Sequence, residues 1–174
     1  AELPGGLKLV SVPLPHLSAG YVAVGVRTGP RHESPATHGL SHLCEHMLFR
    51  GAGPFRDSQA LSAAAERFMG SLEAHTSRDQ AMYGTAFAPG GLGDALALLG
   101  HMMSSPRLQH LRVEKKVLLN EIQECFDEHG REIEIDNVSR AAMFPGHPAG
   151  LSIDGTLESV RRFGTWHLRA HISR

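Results

Sequence analysis

The sequence predicts an α+β fold built on an antiparallel sheet. Pairs of segments with alternating apolar and polar residues, each pair joined by a short turn signal, are typical of β-hairpins. Other segments carry apolar residues three or four positions apart, which is typical of helices that pack one face on a core. Because the strands come in hairpins rather than singly between helices, we expect them to run antiparallel.

The elements follow in order along the chain. The predicted strands lie at residues 7–14, 20–28, 71–77 and 80–88. The predicted helices lie at residues 38–49, 58–69, 91–104 and about 108–129, and further helical segments flank the turn-rich stretch FPGHPAG. Asp57 or Ser58 can cap the second helix, and Pro106 closes the third. Arg78-Asp79 marks the turn of the second hairpin.

Composition bounds the class of protein. A chain of 174 residues fits one domain with a real core, which we place over residues 1–174. The 17 Lys and Arg nearly cancel the 18 Asp and Glu, so no strong field attracts nucleic acid or an anionic membrane. Apolar runs are too short for a membrane span. We therefore expect a soluble protein that binds no nucleic acid and crosses no membrane.

The N-terminus leaves the compartment open. The stretch AELPGGLKLV lacks the basic and then apolar pattern of a signal peptide, but it also lacks an initiator Met. A processed chain could have lost a targeting segment. Cytoplasmic and periplasmic locations therefore both fit.

The stretch HGLSHLCEHMLFRG, residues 38–51, carries the first candidate site. On a helix, His42, Glu45 and His46 share one face. Two imidazoles at this spacing can reach one zinc ion, and the carboxylate can take a proton from a water on the metal. The alternative is a histidine-rich exposed helix, since the chain contains 12 His.

A catalytic zinc needs a third protein ligand, and residues 112–128 offer candidates. Glu114, Leu118, Glu121 and Cys125 lie on one stripe of the predicted fourth helix. A carboxylate on a mostly apolar stripe is costly unless it is paired or binds a metal. The alternative is that both glutamates are solvated or paired with lysines.

Four blocks of the chain carry a resemblance to a known family. GLSHLCEHMLFRG resembles the pattern G-x-x-H-x-x-E-H-M-x-F-x-G of the M16 metallopeptidases, the inverzincins. SLEAHTSRDQAMYGTAF resembles the hairpin that follows it, EKKVLLNEIQE the helix of the third ligand, and HPAGLSIDGTLESVRRF the later loop and helix. The blocks occur in the family's order, so the chain is identified as an N-terminal domain of this family, with helices packed on one face of its antiparallel sheet.

The resemblance implies a role for five side chains. His42, His46 and Glu121 would hold one zinc ion, and Glu45 would be the general base. Glu114 would match an accessory glutamate that orients a metal-ligand histidine or the water. These roles imply a zinc-dependent endopeptidase that cuts peptides or unfolded polypeptides.

The resemblance also implies where substrate binds. The strand that holds Glu73 and Ala74 matches the edge on which relatives pair with an extended peptide. The family more commonly has Asn before this Ala. A glutamate at position 73 favours basic residues near the scissile bond.

Finally, the resemblance implies a missing part. In the family an Arg and a Tyr from a C-terminal half or a partner subunit stabilise the oxyanion, and nothing in this chain matches that half. We therefore expect an N-terminal module, truncated at the C-terminus, that needs a second M16 half, another subunit or a homo-oligomer. The alternative function is a zinc-binding but catalytically incomplete chain, or a non-catalytic subunit.

Overall fold

The structure is a computed structural model that describes residues 1–173, and it confirms the α+β class. Three strands form one antiparallel sheet in the order β1-β3-β2, with β1 at Gly20–Val26, β2 at Leu72–Thr76 and β3 at Ala81–Phe87. Seven α-helices occur in the described part: α1 Leu40–Leu48, α2 Ser58–Glu66, α3 Leu92–Ser104, α4 Leu111–Glu124, α5 Ile135–Met143, α6 Leu157–Arg162 and α7 Thr165–Ile172. Short 3-10 helices lie at Pro30–His32 and Pro148–Gly150.

The sheet is covered by helices on one face, as expected. Val22, Val24 and Tyr83 alternate along β1 and β3 with residues of the opposite face, and they pack against α2 and α3. On the opposite face, Tyr21 and Met82 are exposed. This two-sided pattern is the reason that the strands alternate in sequence.

The predicted first hairpin is wrong. Residues 7–14 form no strand, and β1 pairs with β3 instead of with this segment. In residues 1–173 the only β-pairing of the segment is an isolated bridge between Glu2 and Lys8. Pro13 and Pro15 lack the backbone N–H that a ladder needs, so they disfavour pairing at the end of the segment nearest β1. The other predicted strands and helices are present with shifted ends.

Two groups of buried side chains form the core. The sheet cluster consists of Leu48, Ala52, Leu61, Ala64, Ala65, Phe68, Ala81, Tyr83, Ala95, Leu98, Leu99 and Met102. The helical cluster consists of Leu40, Leu43, Cys44, Met47, Leu108, Leu118, Ile122, Val160, Phe163 and Leu168. Helix α1 supplies side chains to both, so it lies where the two clusters meet.

Among the helices of residues 1–173, none combines the length and the apolar character needed to cross a bilayer.

Candidate metal centre

Helix α1 is fixed at its N-terminus by Glu33. The Glu33 carboxylate accepts hydrogen bonds from Gly39 N (2.8 Å) and from Ser41 N (2.7 Å) and Ser41 Oγ (2.6 Å). An anion at this position satisfies free N–H groups and complements the helix dipole. Gly39 has φ 89°, and a Cβ there would lie 2.5 Å from Asp154 O, so the loop before α6 packs directly on the start of α1.

The structure brings together the three residues predicted to bind metal. The Nε2 atoms of His42 and His46 lie 3.2 Å apart, and His46 Nε2 lies 3.6 Å from Glu121 Oε2. Each of the three residues offers a ligand atom, and these atoms all lie within 4.8 Å of one another. The i and i+4 positions of α1 therefore converge with a carboxylate of α4.

The separations of 3.2 Å between the two Nε2 atoms and 3.6 Å between His46 Nε2 and Glu121 Oε2 are close to those around a zinc ion. Ligands about 2.0–2.2 Å from a tetrahedral zinc lie about 3.3–3.6 Å from one another. Glu121 Oε2 is buried, and in residues 1–173 no hydrogen bond satisfies it. A buried carboxylate oxygen without a donor is costly, and a cation between it and the two imidazoles would remove that cost.

Two further carboxylates lie beside the Nδ1 atoms of the two imidazoles. His42 Nδ1 lies 2.8 Å from Asp154 Oδ1, and His46 Nδ1 lies 3.3 Å from Glu114 Oε2. A proton on Nδ1 directed at a carboxylate leaves the Nε2 lone pair free to bind metal. Both rings are thus oriented with Nε2 toward Glu121.

Glu114 is enclosed between α1 and α4. It is 3% exposed, and the Arg50 guanidinium forms an ion pair with its second carboxylate oxygen. The alternative of a glutamate that is solvated or paired with lysine is therefore wrong for Glu114. Lys115 instead donates to the backbone oxygens of Arg161 and Phe163.

The contact between His42 and Asp154 shifts both pKa values. Burial alone lowers the pKa of His42, but the hydrogen bond and charge of Asp154 outweigh it and hold that pKa above 6.5. Burial alone raises the pKa of Asp154, but His42 outweighs it and holds that pKa below 3.8. In the metal-free chain the two groups therefore favour a charged pair.

Glu45 projects from α1 toward the sheet. It is half-buried, and Thr76 Oγ1 donates a hydrogen bond to Glu45 Oε2. Thr76 is the last residue of β2 and is itself buried. The predicted general base is thus tied to the predicted substrate strand.

Glu73 and Ala74 lie on β2, which pairs only with β3 in the described sheet and so is an edge strand. The Glu73 side chain is exposed and accepts a hydrogen bond of 3.5 Å from Tyr21 Oη. Burial and the Glu73 charge raise the pKa of Tyr21. Ala74 packs against the sheet cluster.

The two cysteines lie outside the group of ligand atoms. Cys44 is buried in the helical cluster, and burial raises the pKa of its thiol. Cys125 Sγ lies 3.9 Å from Asp154 Oδ2, and burial together with nearby carboxylates raises its pKa to about 11. Both thiols are therefore protonated near neutral pH and poor metal ligands in this state.

Three contact residues were not predicted from the sequence, namely Arg50, Thr76 and Asp154. Asp154 lies within the block HPAGLSIDGTLESVRRF, so the block signalled the loop but not the residue. A zinc-binding histidine needs an acceptor at Nδ1, yet 18 acidic residues could supply it. Only the packing of the loop on Gly39 selects Asp154.

Comparison with known proteins decides the family. The family model described as Insulinase (Peptidase family M16) matches residues 9–156. The chain belongs to peptidase family M16. This M16 chain is 30% identical over 173 residues to the mitochondrial-processing peptidase subunit beta of Blastocladiella emersonii, covering 98% of the chain and 37% of that protein. It is also 30% identical over 175 residues to an uncharacterized zinc protease of Mycobacterium leprae, covering 99% of the chain and 39% of that protein.

Solved structures share the fold of the M16 chain. A protease from Helicobacter pylori superposes with a TM-score of 0.87 at 22% identity, covering 99% of the chain and 42% of that structure. A peptidase M16 inactive domain from Pseudomonas fluorescens gives a TM-score of 0.76 at 17% identity, covering 88% and 37%. The M16 chain thus spans about two fifths of the length of the curated relatives that it matches.

Proposed function

We propose that this chain binds one zinc ion through His42, His46 and Glu121 and supplies the general base, Glu45, of a metalloendopeptidase. The observation that carries the proposal is the convergence of two Nε2 atoms and one buried carboxylate oxygen that lacks a hydrogen bond in residues 1–173. The family and the zinc protease of Mycobacterium leprae support the same chemistry.

A bound zinc ion would polarise the peptide carbonyl and lower the pKa of a water molecule. Glu45 would accept a proton from that water and return it to the departing amine. The Thr76 hydroxyl, which donates to Glu45 Oε2, would hold the carboxylate in place and leave its other oxygen for the water. Asp154 and Glu114 would keep the Nε2 atoms of His42 and His46 directed at the metal.

The substrate would be a peptide or an unfolded segment of a polypeptide. An edge strand offers a row of backbone N–H and C=O groups, so an extended peptide can add to β2 as a fourth strand. It would then pass beside Glu73 and Ala74 and reach Glu45 near Thr76. The exposed Glu73 carboxylate would favour a basic residue at its end of β2.

A second candidate is a zinc-binding chain that cannot turn over substrate by itself. The observation that favours it is length, because the chain spans 37% and 39% of two curated relatives. Under this proposal a second M16 half, another subunit or a second copy of the chain would complete the site, including the donors for the oxyanion.

Zinc content and peptide hydrolysis, measured on the same preparations, test both proposals. Glu45→Gln should keep one zinc per chain by elemental analysis and lower hydrolysis of a quenched fluorescent peptide by about 100- to 10,000-fold, the usual contribution of a general base. Glu66→Gln, which removes an exposed carboxylate at the end of α2, is the matched control and should change neither value.

The outcomes separate the candidates. Hydrolysis that needs Glu45 in the chain alone supports the first. Bound zinc with hydrolysis only after a partner half is added supports the second. A chain that takes up no zinc at neutral pH contradicts both.

A further inference from the structure

A cavity whose lining contains none of the candidate metal ligands lies beyond the C-terminal end of β2. The cationic cleft, as we name it, has a volume of about 560 Å³, and its charged and imidazole side chains are Arg31, His75, Arg78, Asp79, Asp136, Arg140 and His147. Its walls come from the 3-10 helix Pro30–His32, from the end of β2 and the β2–β3 turn, from α5 and from the loop after α5. Three of these seven side chains are guanidinium groups and two are carboxylates.

Two residues of the cleft lining are sequence neighbours of residues that contact the candidate metal centre. His75 directly precedes Thr76, whose hydroxyl donates to Glu45. Ile153, another residue of the lining, directly precedes Asp154, which lies 2.8 Å from His42. Since consecutive Cα atoms are about 3.8 Å apart, a peptide paired with β2 at Thr76 would also lie beside His75, a residue of the cleft lining.

One arginine of the cleft is used by the fold itself. Arg78 is buried and donates to Leu151 O (3.1 Å), to Asn137 Oδ1 (3.0 Å) and to Asp136. This hydrogen bond to Asp136 is the main reason that the pKa of the Asp136 carboxyl lies below its usual value. Arg78 is therefore held by the fold, and Asp136 largely cancels its charge.

The other two arginines keep donors for a ligand. Arg140 shares Asp136 with Arg78 and is bound to it through Nε at 3.3 Å. Arg31 faces Asp79 at 3.8 Å, with both side chains more than half exposed, which is a weak pair. A guanidinium has five N–H donors, so both groups can bind a further carboxylate.

A histidine of the lining adds a further donor. His147 Nδ1 accepts a hydrogen bond of 3.1 Å from Ala149 N. With Nδ1 as the acceptor, the ring N–H lies on Nε2 and can donate to a ligand. The cleft thus combines two partly used guanidinium groups with an imidazole N–H, and carboxylates are the peptide groups that match these donors.

We propose that the cationic cleft binds the carboxylate side chain of a Glu or Asp in a peptide that lies along β2, with Arg31 and Arg140 as the donors. The inference rests on the proposed function, because it takes the ligand to be a peptide substrate. Together with Glu73 at the other end of β2, the cleft would select peptides with a basic and an acidic residue a few positions apart.

Binding without turnover tests the inference. In zinc-loaded chains that carry Glu45→Gln, fluorescence anisotropy would measure the affinity of labelled peptides in which Glu or Gln occupies each position in turn. We expect Glu to bind about tenfold more tightly than Gln at one or two adjacent positions, the effect of one charge-assisted hydrogen bond. Arg31→Gln and Arg140→Gln should each reduce this preference, and the double variant should abolish it.

The control removes a similar arginine elsewhere. Arg162 forms an i, i+4 ion pair with Glu158 on α6, as Arg140 does with Asp136 on α5, and it lies outside the lining of the cleft. Arg162→Gln should therefore leave the preference for Glu unchanged. Circular dichroism melting curves confirm that each variant is folded.

Four results would overturn the inference. Two concern the unmodified cleft: equal affinity for Glu and Gln peptides at every position, or no binding of any peptide. The other two are a preference for Glu over Gln that persists in the Arg31→Gln, Arg140→Gln double variant, and a preference for Glu that disappears when the peptide's C-terminus is amidated. Failure of the proposed function looks different, because it appears as missing zinc or as no Glu45-dependent hydrolysis of the Gln peptides.

Discussion

The helical cluster and the sheet cluster contribute different parts of the candidate site. Beneath the metal centre, the helical cluster packs α1 against α4, so that His42 and His46 face Glu121. The sheet cluster supports β2, whose free edge presents Glu73 and Ala74. The proposed ligand geometry thus depends on the packing of helices, and the proposed access for a peptide depends on a strand with one edge that is unpaired within residues 1–173. The two parts meet at the hydrogen bond between Thr76 and Glu45.

The largest expected effect comes from removing a side chain between the two helices of the metal centre. Leu118 is fully buried between Glu114 and Glu121 on α4. Leu118→Ala should lower the free energy of unfolding by about 2–5 kcal/mol and weaken zinc binding, because the cavity loosens α4 against α1. Urea unfolding and zinc calorimetry of the folded variant measure the two effects.

The matched variant in the sheet cluster is Leu98→Ala on α3, where Leu98 is equally well buried. It should cost similar stability and leave zinc affinity unchanged. If both variants weaken zinc binding equally, ligand geometry does not depend on the helical cluster more than on the sheet cluster.

A smaller effect is expected from removing the Asp154 carboxylate, which lies beside His42 Nδ1. Asp154→Asn should weaken zinc binding by about 10- to 100-fold and leave the fold intact, since outer carboxylates of this kind fix the ring and its tautomer. Competition with a chelating dye measures the affinity. Asp94→Asn, which changes an exposed carboxylate in the first turn of α3, should have no effect on zinc.

The pH dependence of zinc affinity sharpens this test. Because the pKa of His42 is raised above 6.5, a proton competes with the metal, and affinity should rise as pH rises through that pKa. Asp154→Asn should move this rise to lower pH.

In the metal-free chain, the stabilisation that His42 gives to the fold is complete below pH 6.5 and is lost as pH rises through its raised pKa. The stabilisation that Asp154 gives to the fold is present above pH 3.8 and is lost as pH falls through its lowered pKa. A pH profile of zinc affinity that Asp154→Asn leaves unchanged would contradict the contact between Asp154 and His42.

At the hydrogen bond between Thr76 and Glu45, where the two parts of the candidate site meet, we expect a modest effect on turnover alone. Thr76→Val keeps the shape of the side chain and removes the donor to Glu45, so the rate of peptide hydrolysis should fall by about tenfold or less while zinc stays bound. Steady-state kinetics with zinc analysis measures both. Thr85→Val alters another buried threonine, on β3, whose hydroxyl donates to Ala86 O, and it should retain the wild-type rate. A Thr76→Val chain with the wild-type rate would show that this hydrogen bond does not position Glu45.

The smallest effect is expected on the open face of the sheet. Tyr21→Phe removes an exposed hydroxyl that lies 3.5 Å from Glu73, so the free energy of unfolding should change by less than about 0.5 kcal/mol. Zinc affinity should not change. Urea unfolding that shows a loss well above this value would mean that the open face contributes to stability in a way that the contacts do not explain.

Local spacing predicted the parts of the centre that a single helix determines. His42, Glu45 and His46 share a face because 3.6 residues make a turn, and the stripe that joins Glu114 to Glu121 follows from the same geometry. The structure places these side chains together as that spacing predicts. Their roles in binding and catalysis stay predictions.

The remainder depends on contacts between distant segments. Asp154 reaches His42 only because its loop packs on Gly39, and Thr76 reaches Glu45 only because β2 lies beside α1. The predicted strand at residues 7–14 failed because Pro13 and Pro15 disfavour pairing at its end and because β1 pairs with β3 instead. Alternation reports which side chains share a face, but it does not report which strand provides the pairing edge.

The most direct test of the central claim is a crystal structure of the zinc-loaded chain with data collected at the zinc absorption edge. We expect one anomalous peak about 2.0–2.2 Å from His42 Nε2, from His46 Nε2 and from a carboxylate oxygen of Glu121. A zinc peak bound by other residues, or a fully zinc-loaded chain with no peak between α1 and α4, would contradict this set of ligands.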